Sequence, residues 1–581
     1  MTSSLRWFAP LLHRVLLCLS AAGVAALLVV WPLAGFHDTW LRWLGWPSWQ
    51  MGLGLAGFLG VATWCPERWR WLGKPLAAAS LCWLFATHRV LTMGDGHWWR
   101  KASREGTVTW AEPLSSHLQA VLYRVFGPEA LELLPIACGF AATWIWLGIT
   151  DRLIAAHPGS APRQRWLAAA LWASAGALCG FFYRYVEHSQ IGVPLLLLGL
   201  ATLSRWSHAV LAGRDSGPAD ERDFRRGTRW LLLAALLHLQ YSGMFVAAVG
   251  AAWLVGWRHG AGRSLQRLAA VLGWVVAGAL GCWLLFCFGP FTSFVGSVGG
   301  GADARLLTPF VDAEGSWTGP GALFGADHLA LTASLLLVAV PLALPFFAAV
   351  LVPASLARTH TELVASSAAF AWLLFVSLYG FDLGWPTDAD LMLSMSVALA
   401  WLTAGWWLPA VAAARPLAQG AAGLGSCLAV LATWSVLAPL VRPTAANVSQ
   451  ANTALADLRL EGPDGLVAAE GPGPFRVPAA LGTTFTVRAR GPAGREFWIL
   501  RGAPQPAVEG HPYGGVADIV VQLEPQYFVH AGQFADDGSA TATMTVAPLP
   551  DGGLPGIQMV VFLLPGTQRS TTSAAYYFVA P

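Results

Sequence analysis

Along the chain, long apolar runs alternate with short connections that are mostly basic. The runs fall near residues 15–36, 50–65, 75–93, 129–150, 166–182, 191–204, 230–256, 268–288, 328–352, 367–381, 389–411 and 419–440. A helix needs about 17–25 predominantly apolar residues to cross the hydrocarbon core of a bilayer. The pattern therefore predicts a mainly α, polytopic transmembrane helical bundle. Past residue 443 the pattern changes: Gly, Pro and Thr become frequent, and apolar positions recur at period two. Examples are Thr484-Phe485-Thr486-Val487-Arg488-Ala489 and Thr541-Ala542-Thr543-Met544-Thr545-Val546. Alternation of this kind between Gly/Pro turns predicts the short strands of an all-β sandwich. The chain thus divides into a membrane domain, 1–443, and a β domain, 444–581.

The basic connections set a direction. With the N-terminus in the cytoplasm, loops 66–74, 151–165, 205–229 and 257–267 lie inside, as the positive-inside rule asks. The first run follows Arg6 and Arg14 and lacks a convincing cleavage site, so it reads as a signal-anchor helix. Run 230–256 is basic on both flanks and must enter and leave on one side. It is shorter than the roughly 40 residues two crossings need. It is therefore expected to form a broken hairpin of two short half-helices meeting near His238–Gly243, beside about 11 full spans; the alternative is one straight helix with a misassigned flank. The β domain then lies on the extracytoplasmic face of the inner membrane.

Composition sharpens this picture. Of 581 residues, 55% are hydrophobic and 12% charged, with 31 Trp and only two Lys, Lys74 and Lys101. Soluble domains carry about 25% charged residues, so a soluble globular protein is excluded, as is a disordered chain. A net charge of +3 gives no reason to invoke nucleic acid. The 8 Cys include no CxxC pair, which argues against a zinc site or a disulfide framework. No Walker A, GxSxG or HExxH pattern is present.

Ionisable groups near a bilayer are expensive and mark function. Five loops send them to the outer side. They are Thr92 to Arg100, with Asp95, His97 and Arg100; Trp110 to His117, with Glu112; Tyr183 to His188, with Arg184 and Glu187; Asp327-His328; and Phe381 to Asp390, with Asp388. His238 sits at the break of run 230–256. Asp95 lies between two glycines, where an Asx-turn is the other reading. Asp388 and Asp390, two residues apart, can ligate Mg²⁺ or Mn²⁺ through oxygen, or cap the following helix. Trp98 and Trp99 are suited to stacking on a sugar or to an interfacial belt, and the amphipathic stretch 114–126 is expected in the outer interface.

Gly94-Asp95-Gly96, Glu112-Pro113-Leu114, Tyr185-Val186-Glu187, Leu237-His238-Leu239, Asp327-His328-Leu329 and Leu383-Gly384-Trp385-Pro386-Thr387-Asp388-Ala389-Asp390-Leu391 occur in this order. In kind and order they resemble bacterial multi-pass glycosyltransferases of the GT-C superfamily over about residues 90–400. His188, Leu331, Ser334, Thr387 and Ala389 depart from that pattern. The resemblance implies a GT-C-like fold and transfer of a sugar from a polyprenyl-phosphate donor to a lipid, glycan or protein acceptor on the outer face. Asp95, with Glu187 second, would be the catalytic carboxylate. His97, Arg100, Glu112, Arg184, His188, His238, His328 and Asp388 would bind substrate, and Asp388 with Asp390 would hold any Mg²⁺ or Mn²⁺. Other classes the residues allow are a flippase for a lipid-linked sugar and a membrane anchor displaying the β domain.

Overall fold

The computed structural model describes residues 49–90, 99, 102–104, 106–108, 112–156, 161–213 apart from 184 and 187, 218–259, 264–288, 293–294, a few positions in 332–343, 362–378, 389–413, 423–430 apart from 428, 441–443 and most of 457–581. Helices dominate through residue 430 and strands dominate beyond 441. In chain order the principal elements of the first part are α1 (Trp49–Trp64), α2 (Arg70–Thr87), β1 (His88–Val90), β2 (Thr107–Val108), α3 (Pro113–Phe126), α4 (Pro128–Ala156), α5 (Ala161–Ala173) and α6 (Ser189–Leu211). They continue with α7 (Pro218–Leu237), α8 (Ser242–Arg258), α9 (Ser264–Phe288), β3 (Ser293–Phe294), α10 (Leu363–Leu378), α11 (Ala389–Met395), α12 (Val397–Ala413) and β4 (Val441–Pro443). Among the described residues, five helices are long and apolar enough to cross a membrane: Pro128–Ala155, Ser189–Leu211, Leu239–Arg258, Leu265–Leu285 and Met392–Pro409.

What faces outward fits lipid rather than water. α9 leaves Leu265, Leu272, Val276, Leu280 and Trp283 exposed. Water would not tolerate so long an apolar stripe. α3 is amphipathic the other way round from a soluble surface helix: Ser115, Ser116, His117 and Gln119 are buried, while Val121, Val125 and Phe126 face out. Its polar side belongs to the protein interior, so the stretch expected in the interface is also a wall of the site below.

The basic run 205–258 folds into a full helical hairpin. α7 runs antiparallel to α6, with Phe224 against Trp206 at one end and Tyr241 against Gly192 at the other. α8 then returns, placing Gly256 against Trp206 again. The chain enters and leaves at one end, and the break falls at the 3-10 turn Leu239–Tyr241. The half-helices expected there are corrected: α7 has 20 residues and α8 17, or about 30 and 25 Å at 1.5 Å per residue. The reason is that the charged stretch after Pro218 is itself helical. Its carboxylates find cations around it: Glu221 lies 3.7 Å from Arg225 and 3.6 Å from Arg267, and Asp223 lies 3.5 Å from Arg205.

The basic connections gather at this same end. Arg70 donates to both oxygens of Asp151, at 2.8 and 3.1 Å. Lys74 lies 2.8 Å from Asp151, and Arg165 pairs with Glu67. At the opposite end β1 pairs antiparallel with β4, His88 against Pro443, and β2 pairs parallel with β3. The C-terminal portion therefore departs from the end remote from Arg70, Lys74 and Arg165, although β1 and β4 set Arg89 opposite Arg442 there.

In that portion β5 (Asp457–Gly462), β6 (Gly465–Leu466), β8 (Thr484–Arg490) and β13 (Ser539–Thr545) form a four-stranded sheet. A six-stranded sheet contains β7 (Phe475–Pro478), β9 (Glu496–Gly502), β12 (Phe528–Gln533), β14 (Gly556–Phe562), β15 (Ser570–Thr572) and β16 (Tyr576–Val579); β10 (Pro504–Val508) and β11 (Ile519–Val521) pair apart. Alternate residues of β8, Phe485, Val487 and Ala489, are buried, as period two demands. They share one core with Phe497, Ile499, Met559 and Phe578 of the larger sheet, and Tyr576 Oη donates to the Leu458 carbonyl at 2.7 Å across the two sheets.

Candidate functional site

Glu112 is the residue just before α3, and Pro113 takes the first helical position, where a missing N–H costs nothing. Its side chain does not cap the helix. It is turned into the protein, where Glu112 is 7% exposed and two histidines converge on it. His188 Nδ1 donates to Glu112 Oε2 at 2.7 Å. His238 Nε2 lies 2.8 Å from Glu112 Oε1, a short contact that is poorly aligned as a hydrogen bond. The Gln240 N–H donates to His238 Nδ1 at 3.3 Å, which leaves the ring hydrogen on Nε2, facing the carboxylate.

Three elements bring these groups together. His188 immediately precedes α6, and His238, with extended backbone, opens the break between α7 and α8. Ser115 Oγ donates to the Leu237 carbonyl at 2.6 Å, fastening α3 to the break. Tyr241 Oη donates to the Ser189 carbonyl, fastening the break to α6. Gly192 makes room for this: a Cβ there would lie 2.3 Å from Tyr241 Cε2. Gln240 Nε2 donates to Ser394 Oγ at 3.1 Å, tying the break to α11.

Burial alone would raise the Glu112 pKa. The two imidazoles that face it, one of them the hydrogen-bonded His188, more than reverse this and hold the carboxyl well below the usual carboxylate range. Glu112 is consequently ionised and a weak base. His188 meets an oxygen at each ring nitrogen, Glu112 on one side and Gln119 Oε1 at 2.8 Å on the other. Trp99 covers its ring, centroids 3.8 Å apart. Burial lowers the His188 pKa, and Glu112 offsets this only in part. The ring thus sheds its second proton more readily than a free imidazole, and Gln119 can present either amide oxygen or amide NH₂ to it.

A pH dependence follows. Because the folded His188 pKa lies below its ordinary 6.5, the unfolded chain binds more protons below that pH. Stability is complete above about 6.5 and declines as the pH falls. Glu112, held below its ordinary 4.5, adds a second loss at lower pH. The unfolding free energy of the purified protein in detergent, followed through its melting temperature, is expected to drop from about pH 6.5 to pH 5, with a slope no steeper than about 1.4 kcal/mol per pH unit from His188. A rise on acidification over that range would reverse the assignment.

Of the residues singled out from sequence, the structure unites Glu112, His188 and His238. Asp95, His97, Arg100, Arg184, Glu187, His328 and Asp388 lie outside the described residues. Asp390 belongs to α11, which begins at Ala389. Among the described residues no group of three or more His, Cys, Asp and Glu is placed to hold a metal. Trp99, a candidate for sugar stacking, is corrected: it is 5% exposed and stacks on His188 instead. His188 and Glu112, expected to touch substrate, have their polar atoms turned to protein partners. Gln119 and Ser115 were missed by sequence reasoning; their one signal was a spacing of four residues, one turn apart on the same side of α3.

No protein-family model, curated protein or solved structure matches this chain.

Proposed function

We propose that this protein is a membrane glycosyltransferase of GT-C type, with about 11 full spans besides the hairpin and a C-terminal β-sandwich. It moves a sugar from a polyprenyl-phosphate donor to a lipid, glycan or protein acceptor. The reaction takes place at the end of the bundle that carries Glu112, on the extracytoplasmic face of the inner membrane. The observation that carries this reading is the buried carboxylate bridging His188 and His238, each from a different element, at the end opposite the arginines. An ionisable triad in a helical bundle is retained for function. Covalent connectivity supports the remaining assignments. Glu187 adjoins His188, and Asp95 precedes Trp99 by four residues, at most about 14 Å of extended chain. Likewise α11, which begins directly after Asp388, is hydrogen-bonded to the hairpin break.

In this reading Asp95 accepts the proton of the acceptor hydroxyl, with Glu187 as a second carboxylate. Arg184, His97, Arg100 and His328 hold the donor phosphate, where Arg provides a bidentate fork, while His238, with both ring nitrogens facing protein groups, shapes the site beside them. Glu112 fixes the two rings in position. Asp388 and Asp390 would be the oxygen ligands of any Mg²⁺ or Mn²⁺, which would neutralise phosphate charge. The test is purified protein with a panel of polyprenyl-phosphate sugars. Asp95→Asn is expected to lower turnover about 100-fold with little change in melting temperature. Full turnover by that variant on a substrate the wild type uses would remove Asp95 from the role. The same triad would suit a proton-coupled flippase; lipid-linked sugar crossing proteoliposomes without bond cleavage would favour that class.

A further inference from the structure

A cavity lined by described residues lies away from the triad. It lies at the arginine end, where α4, α6, α12 and the start of α10 meet, and has a volume of about 430 Å³. His188 and Arg205, at the two ends of α6, are separated by 17 residues, about 25 Å along a helix. This is therefore a second site, and it does not depend on the sugar-transfer reading.

Its walls divide by chemistry. Leu153 and Trp401 belong to an apolar side, while Arg152, Arg205, Ser204 and Glu362 supply polar groups. Arg152 and Arg205 are close enough to feel each other's charge. Asp223 lies 3.5 Å from Arg205 and is near enough to act on Arg152 as well, so the pair shares one carboxylate and keeps a net positive charge; Arg152 makes no ion pair of its own among the described residues. Two neighbouring guanidinium groups are eased by one anion between them, and a phosphate matches their planar forks. A bare anion would not suit the opposite wall. Glu362 is 7% exposed, its Oε1 lies 3.3 Å from His208, and its Oε2 is buried without a hydrogen bond. Ser204 Oγ, on a residue 4% exposed, is likewise buried and unbonded. Buried oxygens in this condition call for a donor. An occupant must bring phosphate to the arginines, N–H to the carboxylate and hydrocarbon to the apolar side.

We propose that this cavity binds the headgroup of a phospholipid bearing a phosphate and a primary ammonium. Arg152 and Arg205 flank the phosphate, the ammonium donates to Glu362 Oε2, and the first methylenes of an acyl chain rest near Leu153 and Trp401. A trimethylammonium headgroup has no N–H to give, and a glycerol headgroup has no positive charge to meet Glu362.

The test is native mass spectrometry of the full chain, reconstituted with phosphatidylethanolamine, phosphatidylcholine or phosphatidylglycerol, or exposed to inorganic phosphate alone. One phosphatidylethanolamine is expected to be retained at least about tenfold better than the other lipids. The double variant Arg152→Ala/Arg205→Ala should lose retention of all three, while Glu362→Gln should keep binding but abolish the preference. Ala201→Leu, which fills the cavity with both arginines intact, should also expel the lipid, and it serves if the double variant does not fold. Equal retention of the three lipids by the wild type would overturn the proposal. So would unchanged retention in Ala201→Leu, or displacement of the lipid by millimolar inorganic phosphate.

Discussion

Glu112→Gln is expected to lower sugar transfer by up to about 10⁴-fold, the scale seen when an orienting carboxylate beside a histidine is replaced by its amide. The substitution keeps the shape of the side chain but exchanges one acceptor oxygen for an NH₂. His188 Nδ1 and His238 Nε2 both direct hydrogen toward this group, at 2.7 and 2.8 Å. One of them must then face a donor. A buried polar group left without its partner costs about 1–3 kcal/mol, so the melting temperature should fall as well. A positioning role is separable from mere support of the fold. Glu112→Asp, which restores the charge, should recover part of the turnover, and the acid decline in stability attributed to His188 should change shape in Glu112→Gln. Wild-type turnover and an unaltered stability profile in Glu112→Gln would dismiss the triad as a functional unit.

The second large effect concerns the hairpin that carries His238. A Cβ at Gly227 would lie 2.7 Å from Leu203 Cγ and 3.1 Å from the Gly199 carbonyl oxygen, and one at Gly199 would lie 2.5 Å from Leu231 Cγ. The side chains could shift, but the backbone oxygen cannot without moving α6 away from α7. Small residues at such a crossing let two membrane helices approach closely. Gly227→Leu is expected to destabilise the protein by about 3 kcal/mol, at the upper end for overpacking. In practice this means a lower melting temperature and a smaller folded fraction on size-exclusion chromatography. The exposed Gly243→Leu, with nothing within 4 Å of its Cβ, is the control and should behave as wild type. Equal behaviour of the two variants would show that the close crossing contributes nothing.

Much of this was readable from residue pattern alone, and the limits have physical causes. Basic flanks on both sides of 230–256 were enough to demand a return to the same end, because charge placement is costly near a bilayer. Helix length at that hairpin was not readable, since hydropathy ends where the charges of 218–229 begin while the helix runs through them. The period-two stretch 484–489 announced β8 directly. The triad was legible in part: Glu112, His188 and His238 stood out as ionisable groups in apolar surroundings, but sequence could not show that two of their side chains turn toward the third. That depends on long-range fastenings, such as Ser115 to Leu237 and Tyr241 to Ser189, between residues with no unusual signature. Gln119 was overlooked because a polar residue on an amphipathic helix is normally assigned to solvent, and α3 reverses that rule.

The scarcity of lysine gives the molecule a built-in reporter. Lys74 lies beside Asp151 among the arginines, whereas Trp99, two residues before Lys101 in the chain, packs on His188 at the other end. An amine-reactive reagent that cannot permeate intact cells should therefore modify Lys101 and spare Lys74 if the triad opens away from the cytoplasm, with the reverse labelling if the bundle is inserted the other way up.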